Sequence, residues 1–119
     1  MERLAPQIKR QRLLIEGFYS INVDKSVIEN YFIGITQHLN LRMYGEPIIY
    51  SPEEESGSQE NQGFDAFVPL IDSGISVYVW SNSRFLSLIL YTCKEFSEKQ
   101  AIDYTKRFWN MHTMDYLSF

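Results

Sequence analysis

From Arg84 to Cys93 apolar and polar residues alternate, which puts Phe85, Ser87, Ile89, Tyr91 and Cys93 on one face of a strand and Leu86, Leu88, Leu90 and Thr92 on the other. The leucine face belongs beneath helices, leaving a mixed aromatic and polar face for a partner or ligand. Upstream, Phe64 to Trp80 reads as two apolar strands pinched at Asp72-Ser73-Gly74. On the second of them Ser76, Tyr78 and Trp80 share a face opposite Ile75, Val77 and Val79. Arg12 to Ser20 predicts a first strand. Leu41 to Tyr50 predicts another, with Gly45 and Pro47 marking a bulge or sheet edge, and Met111 to Leu117 a last one.

Two stretches carry the helical period instead. Asp24 is an N-cap for a helix whose stripe is Val27, Ile28, Tyr31, Phe32, Ile35 and Leu39. Ser97-Glu98-Lys99-Gln100 is a capping box that opens a second helix, with Ala101, Ile102, Thr105, Phe108 and Trp109 on its buried side. The order is strand, helix, four strands, helix, strand. It predicts an α+β fold, a two-layer sandwich with one largely antiparallel sheet and two helices on one face, forming a single domain over residues 1–119. Such a sheet has a second face that one small domain cannot cover. If left to water, Tyr78, Trp80, Phe85 and Tyr91 would form a sizeable apolar patch, so dimerisation or ligand binding is expected.

Composition narrows the partners. The net charge of -4 argues against a nucleic-acid surface, which needs a basic excess. No apolar run reaches the length of a membrane span, and no signal peptide precedes the charged start Met1-Glu2-Arg3. The single cysteine allows no intrachain disulfide and fits a reducing cytoplasm. His38 and His112, far apart and without a cysteine cluster, give no zinc site, and no metal is expected. Ser51 to Gln62 is acidic and polar with no large apolar residue, and is expected to be a solvent-facing loop.

Ser73 at the pinch and Cys93 on the following strand are the candidate chemical groups. Taken alone each has a plainer role. Asp-Ser-Gly is ordinary turn punctuation, and a lone cysteine is usually a small buried hydrophobe. Tyr78 and Trp80 either line a ligand pocket or lie under a second subunit.

The spacing of these residues resembles the active-site segment of the small prokaryotic S-adenosylmethionine decarboxylases. That family carries Glu-Ser-His, an isoleucine-rich strand, a second histidine, Thr-Trp-Pro-Glu, and later Phe-Thr-Cys. Here the matching stretch is Asp72-Ser73-Gly74, Ile75-Ser76-Val77, Tyr78, Val79-Trp80-Ser81-Asn82 and Tyr91-Thr92-Cys93. Ser73, Trp80 and Cys93 keep their places, and the match runs ungapped from Gly63 to Cys93. Arg12-Leu13-Leu14-Ile15-Glu16-Gly17-Phe18-Tyr19 is similar to the family's first strand. The resemblance implies self-cleavage before Ser73, which converts the serine into a pyruvoyl group, the electron sink for decarboxylation. It also implies Cys93 as proton donor, a homodimer with active sites near its interface, and a place in polyamine (spermidine) biosynthesis.

The departures fall on the processing chemistry. A histidine that helps processing in the family is replaced by Tyr78, a serine by Asp65, and the histidine after the reactive serine by Gly74. A positioned acid or base contributes about 10²–10⁴ in rate, and a tyrosine with an ordinary pKa near 10 is a poor base at neutral pH; Asp65 remains able to act as one. The resemblance therefore implies an unprocessed family member without a pyruvoyl cofactor, binding a small ligand such as S-adenosylmethionine or regulating a partner subunit. One alternative is an active pyruvoyl-dependent decarboxylase built on Ser73, Cys93, Asp65 and Tyr78. Another is a different S-adenosylmethionine-using enzyme in the same pocket.

Overall fold

A computed structural model describes residues 4–51 and 62–119. The elements are β1 (Gln11–Phe18), α1 (Lys25–His38), β2 (Ile48–Tyr50), β3 (Gly63–Leu70), β4 (Ser73–Trp80), β5 (Phe85–Thr92), α2 (Glu98–Phe108) and β6 (Thr113–Ser118). The six strands form one sheet in the order β2-β3-β4-β5-β1-β6, and every pairing is antiparallel. This is the expected α+β sandwich. Most of the expected acidic loop, residues 52–61, lies outside the described residues, as does the start Met1-Glu2-Arg3.

The period of the strands decides the layers. Leu13, Ile15, Val68, Ile75, Val77, Leu86, Leu88 and Leu90 are fully buried, and they meet Ile28, Phe32, Ile35, Ala101 and Trp109 from the helices. At about 25 cal/mol per Å² of apolar surface removed from water, this single core is the main source of stability. The helices start where the capping residues stand. Asp24 accepts a hydrogen bond from the Val27 amide at 2.9 Å, and Ser97 accepts one from the Gln100 amide at 3.2 Å. The Tyr104 hydroxyl of α2 lies 1.7 Å from where a Cβ on Gly34 would stand, so the tyrosine side chain occupies the space that glycine leaves on α1.

The strand expected over Leu41–Tyr50 is shorter than its pattern. Only Ile48–Tyr50 pairs with β3, and Met43 makes an isolated bridge to Leu70. Pro47 has no amide to give a ladder. The preceding segment instead laces the end of β3: the Tyr44 amide donates to the Pro69 carbonyl at 2.8 Å, and the Ile71 amide to the Arg42 carbonyl at 2.9 Å.

Tyr31 on α1 and Thr105 on α2 share a buried hydroxyl–hydroxyl bond of 2.8 Å. Burial, the larger effect, pushes the Tyr31 hydroxyl well above its ordinary pKa, against the lowering pull of Thr105. The folded chain thus holds Tyr31 protonated where the unfolded chain ionises it. Its contribution to stability is complete below about pH 10 and is lost as pH rises above that value. Tyr31→Phe, which leaves the Thr105 hydroxyl unpaired, is expected to cost about 1–3 kcal/mol at neutral pH in urea unfolding. The same variant is expected to unfold less steeply above pH 10 than the parent.

Candidate functional site

The β3–β4 hairpin turns on two residues, Ile71 and Asp72, between the paired Leu70 and Ser73. Two-residue turns that follow the strand twist need positive φ within the turn. Neither Ile71 nor Asp72 takes it; the next residue, Ser73, does, at φ 128°. A non-glycine residue held there stores about 1–3 kcal/mol of strain, so the surroundings must hold it in place.

They do so through Asp72. Its buried carboxylate accepts from the Arg42 amide at Oδ2 and from the Arg42 guanidinium at Oδ1, both at 3.3 Å. Its main-chain carbonyl accepts from the Cys93 amide at 2.8 Å. The carbonyl that precedes Ser73 is therefore already polarised by an N–H donor, the arrangement that stabilises an oxyanion during acyl transfer.

The four sequence candidates fall into two pairs. Ser73 and Cys93 come to the same end of the sheet, since Ser73 pairs with Thr92 and Cys93 follows directly. Cys93 is exposed, which corrects the plain reading of it as a buried hydrophobe. Asp65 and Tyr78 pair with each other across β3 and β4 on the open face. Tyr78 stands five positions beyond Ser73 on β4, about 16 Å away at ~3.3 Å per residue. Within one chain the two pairs do not touch the same reacting group.

The open face is apolar and wet. Phe18, Phe67, Tyr78, Trp80, Tyr91 and Leu117 are each 38–56% exposed. Across it the registers align Asp65, Tyr78, Ser87, Glu16 and Asp115 in one row, in which the Ser87 hydroxyl donates to Glu16 at 2.8 Å. The periodicity of the chain does not mark this row, because pairing partners set it.

A cleft of about 380 Å³ opens beside Ser73, lined by Phe67, Gly74, Ser76, Ile89 and Tyr91. Phe67 and Tyr91 stand on β3 and β5 and flank a floor of small residues on β4. The registers set Phe67 beside Ser76 and Ile89 but Tyr91 beside Gly74, so the two aromatic residues border the cleft diagonally. The Phe67 ring lies over Gly74, and a Cβ at 74 would stand 2.6 Å from it. Tyr78 and Trp80 do not line this cleft. A larger open groove of about 500 Å³ at the end of α2, lined by Lys106, Arg107 and His112 among others, contains none of the candidate residues.

The architecture is shared with a solved structure, the adenosylmethionine decarboxylase from Aquifex aeolicus, at a TM-score of 0.73 and 21% identity over 94% of this chain and 89% of that one. Among curated proteins none matches. Residues 16–119 match the S-adenosylmethionine decarboxylase family. The chain belongs to that family. Its members depend on a pyruvoyl group formed by self-cleavage. The residues here fit that group in part: Ser73 and the amide on the Asp72 carbonyl suit its precursor, whereas Gly74 lies under Phe67 and offers no side chain.

Because glycine takes positive φ freely while losing more entropy on folding, Ser73→Gly is expected to raise stability by about 1 kcal/mol. An increase in the urea midpoint at unchanged m would show it.

Proposed function

We propose that this chain is an unprocessed member of the S-adenosylmethionine decarboxylase family that binds a small ligand of S-adenosylmethionine type in the cleft between Phe67 and Tyr91. The observation that carries this reading is the Phe67 ring lying over Gly74. The place where the family has a histidine beside the reactive serine holds no side chain, and an aromatic ring from β3 covers it. With Asp65 and Tyr78 in the two other helper positions, the groups that assist cleavage are replaced while the cleft remains. The protein works as a homodimer closed over the open sheet face, and its lone thiol suits a cytoplasmic setting.

A second reading, the active decarboxylase of polyamine biosynthesis, is favoured by one feature: the strained Ser73 beside an amide-polarised Asp72 carbonyl. In that reading the Ser73 hydroxyl attacks this carbonyl and the Asp72–Ser73 amide becomes an ester. Elimination of the ester frees residues 1–72 as a carboxylate and leaves a dehydroalanine at position 73, which tautomerises to an imine that water hydrolyses to the terminal pyruvoyl ketone, releasing ammonia. The pyruvoyl group then supplies the electron sink, and the Cys93 thiol returns a proton to the product.

Intact-mass measurement under denaturing conditions separates the two. The unprocessed reading expects one species of 14.1 kDa, inert to carbonyl reagents; two fragments broken between residues 72 and 73 would sink it. Calorimetry with S-adenosylmethionine is expected to show binding that survives Ser73→Ala and weakens about tenfold or more in Tyr91→Ala, equivalent to at least about 1.4 kcal/mol. Absence of binding to the parent chain overturns the ligand.

A further inference from the structure

In its row of the open face Tyr91 has a neighbour on each side: Gly74 on β4, at the floor of the cleft, and Arg12 on β1. At Arg12 a second cavity of about 300 Å³ opens, lined by Pro6, Ile8, Lys9, Arg10 and Arg12. Three cations thus gather in a chain whose net charge is -4. Lys9 is answered by Glu95 at 3.5 Å, an exposed pair that neutralises it only weakly. Arg10 donates to the Leu4 carbonyl, which satisfies one N–H and leaves the charge. Arg12 has no carboxylate partner among the described residues.

The Arg12 guanidinium is nevertheless held in place. Its carbon lies 5.4 Å from the centre of the Phe119 ring, and the Phe119 amide donates to the Arg12 carbonyl at 3.2 Å. The Nε atom is shut off from water and has no hydrogen-bond partner, which leaves the terminal nitrogens to meet an acceptor from outside. A covered donor without a partner is costly, and more so on a charged group. The guanidinium fork matches the edge of a carboxylate or phosphate, two oxygens against two N–H groups.

We propose that this pocket is an oxyanion subsite of the cleft, in which Arg12 grips a carboxylate or phosphate of the ligand while the rest of that ligand lies on the Gly74 side of Tyr91. Arg10 and Lys9 add attraction at longer range. The subsite rests on the ligand-binding reading given above, and it specifies which end of the ligand is recognised. Gly74 and Arg12 are two strand spacings apart, about 10 Å, so the ligand that reaches both is a nucleoside with a charged tail rather than a bare ring. Pairing with Arg12 stabilises a bound carboxylate and is lost as that charge departs with carbon dioxide. The grip therefore favours keeping the ligand over decarboxylating it.

Calorimetry with matched ligands tests the subsite. S-adenosylmethionine is compared with its decarboxylated amine, and adenosine 5′-monophosphate with adenosine, so that each pair differs only in the anionic group. The parent is expected to prefer the charged member of at least one pair by about tenfold or more, and the pair with the larger preference tells carboxylate from phosphate. Arg12→Gln is expected to abolish that preference while leaving the uncharged member bound as before; a merely structural role would weaken both. Circular dichroism checks folding, and if Arg12→Gln unfolds, Arg12→Lys, which keeps the charge without the fork, is expected to lose part of the preference. Equal binding within both pairs, or equal weakening of both members by the variant, overturns the subsite and leaves the cleft reading standing. If the parent binds none of these ligands the cleft reading falls, and inorganic phosphate alone decides the subsite. The Arg12 Nε–H signal in a nitrogen-15 correlation spectrum, assigned by its loss in Arg12→Gln, is expected to shift as phosphate is added. A signal that stays fixed overturns the subsite.

Discussion

Burial of Leu86, Leu88 and Leu90 beneath α1 and α2 determines, through the two-residue period of a strand, what the opposite face must present. Every side chain between those leucines points away from the helices, and the same holds for Ser76, Tyr78 and Trp80 on β4. Among the described residues there are two helices, enough to cover one side of six strands. The other side is left with aromatic rings, a few carboxylates and one arginine. The cleft and the surface for a second copy both follow from that imbalance between one sheet and one helical layer.

The Ser73 junction is held from three directions. Arg42 grips the Asp72 carboxylate, the Cys93 amide grips the Asp72 carbonyl, and the segment before β2 is laced to the turn by main-chain bonds. Strain on Ser73 is sustained because all of these would have to yield together. The turn is therefore built for a backbone that a plain hairpin would not adopt. Strain of this kind can serve bond cleavage or simply fix the position of a side chain at the mouth of a cleft. Which of the two applies depends on the neighbouring groups, and here those neighbours are a glycine, a tyrosine and an aspartate. Fold and chemistry are separable, and the site decides the function.

Much of this architecture was legible in the chain. Alternation in β4 and β5 assigned both sheet faces correctly, Asp24 and Ser97 marked the helix starts, and Trp109 lay on the buried stripe that its spacing indicated. What was not legible depends on partners distant in sequence. The meeting of Glu16 with Ser87 and the isolation of Arg12 require knowing that β1 lies between β5 and β6, a fact of pairing rather than of period. Likewise Phe67 alternates as any strand residue does, and only the hairpin register shows that its ring lies over Gly74. The positive φ of Ser73 left no mark because serine is not the residue type that signals it. In Leu41–Tyr50 the apolar pattern of a strand was present, but the proline and the lacing to the turn left only its last three residues paired.

The order β2-β3-β4-β5-β1-β6 has a consequence for the integrity of the molecule. Residues 1–72 contribute β1, β2 and β3, and the remainder contributes β4, β5 and β6. The ladders β3–β4, β5–β1 and β1–β6 all join one part to the other, and β1 is threaded between two strands of the later part. A chain severed at the turn would remain a single interleaved body, its two pieces unable to part without dismantling the sheet. The covalent continuity of the polypeptide at this point is thus nearly dispensable for its shape.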